Sequence, residues 1–299
     1  MKNVIFGFSG TELSEKEREF FKESNPAGFI LFKRNIESKE QVKKLTSHLK
    51  SLFPEREVLI LIDQEGGRVQ RITEPLTVKY PAAKYFLDLM EDIGIEAALK
   101  EVYITNLTIA KELSELGINV NCTPVADLHF DATHDVIGDR SYGTDPEIVI
   151  KFCIEVIKAH LDSGVQPIIK HIPGHGRATS DSHLELPVID ANLEELEKTD
   201  FHVFKMLSKY SPFAMTAHIK YLNLDADNPV TLSTKAIKYI RDQIGFTGKI
   251  ISDCITMSAL SGSMGDRAIA ASKAGCDYVL YCSDDIDEMR EIASVLQQQ

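Results

Sequence analysis

No stretch of this sequence approaches the ~20 apolar residues that span a bilayer, so no membrane-embedded segment is expected. The opening segment, MKNVIFGFSGTELSEKE, lacks the apolar core of about 7–15 residues that marks a secretory signal. Positive charge is also scarce. Lys and Arg total 33 against 45 Asp and Glu, a net charge of −12. Such acidity argues against a nucleic-acid backbone or an anionic membrane as partner, while leaving room for a small ligand held by a few local cations. There is no CxxC pair among the five cysteines, and their number is odd. They read as reduced, mostly buried thiols of a cytoplasmic protein. The sequon Asn106-Leu107-Thr108 is then a chance match. No Pro-, Gly- or Ser-rich linker and no low-complexity tract divides the chain, so residues 1–299 are expected to form one domain; a monomer is expected as well.

What is present is a recurring alternation of short apolar runs and longer amphipathic stretches. The runs are Asn3–Phe8, Gly28–Phe32, Val58–Ile62, Ile118–Cys122, Val165–Ile169, Phe213–Thr216, Lys249–Ile251 and Tyr278–Tyr281. Apolar at consecutive positions and often β-branched, they read as parallel strands buried on both faces. Between them lie helix signals. Ser14 with Glu17 and Ser38 with Gln41 form capping-box patterns, and Pro54 stops the second helix. Pro146 sits in a first turn ahead of an apolar stripe, Val149, Phe152, Cys153, Val156 and Ile157. Gly117 reads as a C-cap, and Asn192 with Glu195 opens a helix that turns Leu196, Val203 and Leu207 inward. A final helix is expected over Asp284–Leu296. This alternation is that of an α/β protein, either a (β/α)8 TIM-barrel-like fold or an open doubly wound sheet. Lack of GxGxxG after the first strand, and of GxxxxGK[ST] anywhere, weakens the nucleotide-binding open sheet. The gap from Thr73 to Ala98, with Pro75 and Pro81, marks an irregular excursion.

The polar residues are informative by position. Val58–Ile62 ends in Asp63-Gln64-Glu65-Gly66-Gly67-Arg68, and Ile118–Cys122 leads to Pro124 and Asp127. Val165–Ile169 ends in Lys170-His171, Phe213–Thr216 is followed by His218, and Lys249–Ile251 ends in Ser252-Asp253. In a parallel barrel all these carboxyl ends open onto one rim, where active sites lie. Two polar loops, 135–145 and 173–187, join that rim. Asp181 and His183 have the spacing of a carboxylate–imidazole dyad, suited to moving protons near neutral pH. Asp253 suits a nucleophile, a metal ligand or a helix N-cap. Asp63 can accept from a pair of hydroxyls. Arg71 and Arg140 offer planar forks, and Lys170 and His171 offer donors. Such a set fits a polyhydroxylated ligand better than an apolar one. No metal and no cofactor is expected. His171 and His175 straddle Pro173 and Gly174, so they are no helical pair, and HExxH is absent.

The segments GFILFKRN (28–35), DQEGGRVQR (63–71), VIGDRSYG (136–143), KHIPGHG (170–176), DSH (181–183), MTAH (215–218), SD (252–253) and AGCD (274–277) follow in one order along the chain. With them the sequence resembles the single-domain β-N-acetylglucosaminidases of glycoside hydrolase family 3. The resemblance implies a barrel and a retaining, two-step mechanism. It implies Asp253 as the nucleophile, His183 as acid/base with Asp181 as its partner, and Asp63, Arg71, Arg140, Lys170 and His171 as the residues holding the N-acetylglucosamine ring. The implied substrate is a muropeptide or disaccharide with a non-reducing N-acetylglucosamine, cleaved during cell-wall recycling. A β-glucosidase, a phosphorylase of the same family, and a non-catalytic sugar-binding barrel are the alternatives. One departure stands out: relatives commonly carry a second acid after the nucleophile, where this chain has Cys254.

Overall fold

Eight short strands run parallel and close into a barrel. In chain order they are β1 (Lys2–Phe6), β2 (Pro26–Leu31), β3 (Leu59–Ile62), β4 (Val120–Asn121), β5 (Gln166–Ile172), β6 (Phe213–Thr216), β7 (Lys249–Cys254) and β8 (Tyr278–Tyr281). Each pairs with its neighbour in sequence, and β8 returns to pair with β1. That closure makes the fold a (β/α)8 barrel and removes the open sheet. The structure is a computed structural model and describes residues 1–130 and 134–296. Every apolar run expected to be a strand overlaps one.

Helices connect the strands and cover the barrel. They are α1 (Glu15–Ser24), α2 (Lys39–Ser51), α3 (Ala83–Ile93), α4 (Ile95–Glu115), α5 (Pro146–Asp162), α6 (Leu193–Lys198), α7 (Asp200–Leu207), α8 (Thr234–Tyr239), α9 (Met264–Ala274) and α10 (Ile286–Val295). The Ser14–Glu17 capping box is present, and Ser38 accepts from the Gln41 main-chain N–H at 3.1 Å. Two expectations change. The helix opened by Asn192 is broken at Thr199, whose φ/ψ of −124/−97 ends α6 before α7 begins. The 73–98 excursion contains a helix, α3, which packs on α4. Asn106 is buried in α4 and donates to Val102 O at 3.0 Å, so the sequon is no surface acceptor.

The interior of the barrel places the functional end. A layer of Ile5, Ile30, Leu61, Val120, Ile168, Met215, Ile251 and Leu280 takes one residue from each strand. Side chains alternate along a strand, so the residue two further on faces inward again. Two residues beyond this layer stand Phe32, Asp63, Cys122, Lys170, Asp253 and Cys282. The apolar layer is thus the floor, and the first polar layer lies directly above it at the carboxyl rim. A larger apolar cluster fills the space between the strands and the helices. Among the described residues, no helix is long and apolar enough to cross a membrane.

Candidate active site

A cavity of about 540 Å³ opens at the carboxyl rim. The eight residues expected to act on or hold a ligand line it: Asp63, Arg71, Arg140, Lys170, His171, Asp181, His183 and Asp253. Alternation alone does not place them all. The register of β5 against β6 shifts between Lys170 and Ile172, and that of β7 against β8 shifts between Ile251 and Cys254. Such irregularities re-aim side chains. They bring consecutive residues, Lys170 with His171 and Asp253 with Cys254, to the same cavity.

Charge is organised below the cavity as a buried ion-pair network. Lys170 Nζ lies 2.9 Å from Asp63 Oδ1 and 2.6 Å from Glu65 Oε1. Arg71 reaches Asp63 Oδ2 at 3.1 Å and stacks over the Phe32 ring. Arg140 grips Glu65 with two parallel bonds of 2.8 Å each. Burial by itself would raise both carboxyls; Lys170 and Arg71 instead hold Asp63 well below the usual range, and Arg140 and Lys170 bring Glu65 to about 2. The Lys170 ammonium is only 2% exposed, and the two carboxylates outweigh its desolvation and keep it charged. The ring of charges is therefore fixed and largely self-neutralised before any ligand arrives. Glu65 was not singled out from the sequence, although it stands in the same DQEGGR segment.

A second buried carboxylate organises the loop after β5. Asp127 accepts from the main-chain N–H of His171 and of His175, the latter at 2.7 Å, and stands 2.8 Å from His171 Nδ1. Burial would raise Asp127, but His171 holds it low, so it remains an acceptor. Nδ1 of His171 therefore carries the proton. Gly176 lets this loop pass close beneath the main chain. A Cβ there would lie 1.8 Å from Leu128 O. Arg177 then ties the loop to Asp200 at 2.6 Å and rests over Phe130.

The far end of the loop carries the dyad. Asp181 Oδ1 accepts from the His183 main-chain N–H at 2.9 Å and faces His183 Nδ1 at 2.8 Å. Burial would raise the Asp181 carboxyl; the contacts from His183 together outweigh it and hold the carboxyl below its ordinary value. His183 Nε2 is left on the open side of the ring. The loop is held to the segment after β7, where Ala259 N–H donates to Ser182 O at 3.2 Å. His175 Nε2 meets Ser182 Oγ at 3.0 Å, one residue from each member of the dyad.

Asp253 sits inside β7, and the next helix, α9, is capped by Ser263, so Asp253 caps no helix. Its Oδ1 accepts from the Cys254 main-chain N–H at 2.7 Å. Burial would raise its carboxyl; His218 and His171 lead the groups that hold it low and ionised. Its own N–H donates to Thr216 Oγ1 at 3.2 Å. Thr216 meets Thr231 Oγ1 at 2.7 Å, which meets His218 Nδ1 at 2.7 Å, while His218 Nε2 meets Cys254 O at 2.9 Å. A carbonyl only accepts, so Nε2 carries the His218 proton and Nδ1 accepts from Thr231. The chain closes around Asp253 and fixes its backbone. His218 was visible at a strand end; Thr216 and Thr231 were not singled out. Among the described residues, no group of three or more His, Cys, Asp or Glu side chains is arranged to hold a metal ion.

An ionised carboxylate and an imidazole whose Nδ1 is engaged by a carboxylate, facing one polar cavity, suit displacement at an acetal carbon with proton transfer to the departing oxygen. Residues 3–299 match the glycosyl hydrolase family 3 N terminal domain. The chain is 37% identical over 294 residues to a beta-hexosaminidase of Neisseria gonorrhoeae, covering 96% of this chain and 80% of that protein. It is similar to the crystal structure of NagZ from Neisseria gonorrhoeae in complex with N-trifluoroacetyl-D-glucosamine, with a TM-score of 0.89 and 34% identity over 98% of this chain and 88% of that one. A glycoside hydrolase family 3 beta-N-acetylglucosaminidase from Paenibacillus sp. aligns at a TM-score of 0.90 with 31% identity, over 98% of this chain and 56% of that one. The chain belongs to glycosyl hydrolase family 3 and is a glycoside hydrolase.

Proposed function

We propose that this family 3 chain is a retaining exo-β-N-acetylglucosaminidase that removes non-reducing N-acetylglucosamine from peptidoglycan-derived fragments. The observation that carries the reading is the meeting of Asp253 with the Asp181–His183 dyad in one cavity whose charged floor is already set. In the first step the Asp253 carboxylate attacks the anomeric carbon as His183 Nε2 protonates the leaving oxygen. In the second, His183 takes a proton from water, and that water displaces Asp253. Asp181 holds Nδ1 and stabilises the imidazolium that precedes the first step and is restored by the second. Asp63, Arg71, Arg140, Lys170 and His171 hold the ring hydroxyls, with Lys170 and Arg140 positioned by Glu65. An imidazole works as acid and base near neutrality without a raised carboxyl. The sugar assignment draws on the relatives, one of which binds an N-acylated glucosamine.

The whole chain serves as one catalytic barrel, a cytoplasmic monomer. Its five unpaired cysteines, four of them buried, suit a reducing compartment. The test is turnover of paired aryl N-acetyl-β-glucosaminide and aryl β-glucoside, with and without phosphate. Preference for the first, independent of phosphate, is expected. Preference for the glucoside would make it a β-glucosidase, and a sugar-1-phosphate product would make it a phosphorylase.

A further inference from the structure

Two thiols share the wall of this cavity and take no part in the proposed mechanism. Cys254 follows Asp253, and Cys282 stands two residues past Leu280 of the barrel floor. Cys254 registers against Leu280, so the two cysteines stand at neighbouring strand ends and line one cavity. Cys254 Sγ also lies 3.0 Å from Thr256 Oγ1. The hydrogen bond from Cys282, aided by Thr256, outweighs burial and lowers the Cys254 thiol, while the same pairing raises Cys282. Of the two sulfurs, Cys254 therefore loses its proton first. The remaining cysteines differ. Cys122, Cys153 and Cys276 do not line the cavity, whereas Cys254, though also buried, does. The sulfurs of Cys153 and Cys276 face main-chain carbonyls, and burial pushes Cys276 up to about 12.

We propose that Cys254 is a covalent modification site for soft electrophiles and hydroperoxides, with Cys282 as its resolving partner, and that modification there closes the sugar cavity. The thiol chemistry stands on these contacts alone; its effect on turnover rests on the sugar reading above. With a haloacetamide, the Cys254 sulfur forms a bond to carbon as the halide leaves. With a hydroperoxide, the thiolate attacks the terminal oxygen and the O–O bond breaks, giving a sulfenic acid and an alkoxide or hydroxide that takes up a proton. The Cys282 sulfur then attacks the Cys254 sulfur, and water departs with the Cys282 proton. In sum, two thiols are oxidised to one disulfide and the peroxide is reduced.

The test is a time course of iodoacetamide labelling on the native protein, read by peptide mapping. Cys254 should react about tenfold or more faster than Cys153 or Cys276. Cys282→Ser should slow it. Peroxide should yield a Cys254–Cys282 cross-linked peptide in the wild type, with activity falling in step and returning on addition of dithiothreitol. Labelling of Cys254 no faster than that of Cys153 and Cys276 would overturn the site, and a peroxide cross-link joining a different pair would overturn the role of Cys282. N-acetylglucosamine should slow the labelling. Fast labelling that the sugar does not slow upholds the thiol site and counts instead against sugar occupancy of this cavity.

Discussion

Asp253 and His183 line the same cavity but are held by different means. Asp253 ends a barrel strand, and its surroundings are buried side chains bonded to one another: Thr216, Thr231, His218 and, across the floor, the Asp63–Lys170–Glu65–Arg140 network. His183 rides on a loop, its side chain 64% exposed and steadied by the single carboxylate of Asp181. The floor is therefore part of the folding energy of the barrel, whereas the dyad is nearly independent of it. Damage to the floor should register in both stability and rate, and damage to the dyad in rate alone.

The largest effect is expected at the strand. Asp253→Ala should lower kcat by on the order of 10⁴-fold or more and abolish trapping by a mechanism-based fluorosugar. A label that persists on another residue would move the nucleophile elsewhere and dissolve the contrast. The next is Glu65→Gln, which leaves Lys170 and Arg140 buried with one negative partner fewer. A loss of about 3–5 kcal/mol in denaturant unfolding is expected. Asp181→Asn, at the exposed pair, should stay within about 1 kcal/mol of wild type. Equal losses in the two variants would show that the floor and the loop are one cooperative unit.

His183→Ala sharpens the comparison from the other side. A loss of about 10²–10⁴-fold is expected for poor leaving groups, which need protonation, and less for good ones. Uniform loss across leaving groups would count against an acid role. The smallest effect is in the pH dependence of stability. Glu65 is held at about 2 in the fold against 4.5 as its ordinary value. Its contribution is fully present above the ordinary value and disappears as pH falls toward 2. His160 and His175, buried and lowered to about 4 from 6.5, charge more readily when unfolded, so they erode stability as pH falls from 6.5 to 4. Denaturant titrations should show both declines in wild type and a smaller one below pH 4.5 in Glu65→Gln; an unchanged slope there would remove Glu65 from the floor.

Much of this arrangement was legible residue by residue. Asp63, Lys170 and Asp253 each close an apolar run, and a two-residue period carries them into the layer above the floor. The Asp181–His183 pair was legible because both members share one short turn. Glu65 was not, because its significance lies in Arg140, 75 residues away. Asp127 stood near a strand end, but its three donors belong to His171 in β5 and His175 in the loop after it, 44 and 48 residues later. Thr216 and Thr231 look like ordinary strand and turn residues until Asp253 and His218 are brought against them.

What the sequence by itself determined is local: eight apolar runs long enough to be strands, the caps that start the helices between them, and which strand ends carry charge. Periodicity and capping act within a few residues, so they can be read in one dimension. The return of β8 to β1, the ion pair between Asp63 and Lys170 across 107 residues, and the register shifts that turn His171 and Cys254 into the cavity were decided only by the tertiary structure. A register shift depends on how two strands meet, and a buried charge on which partners the closed barrel places beside it.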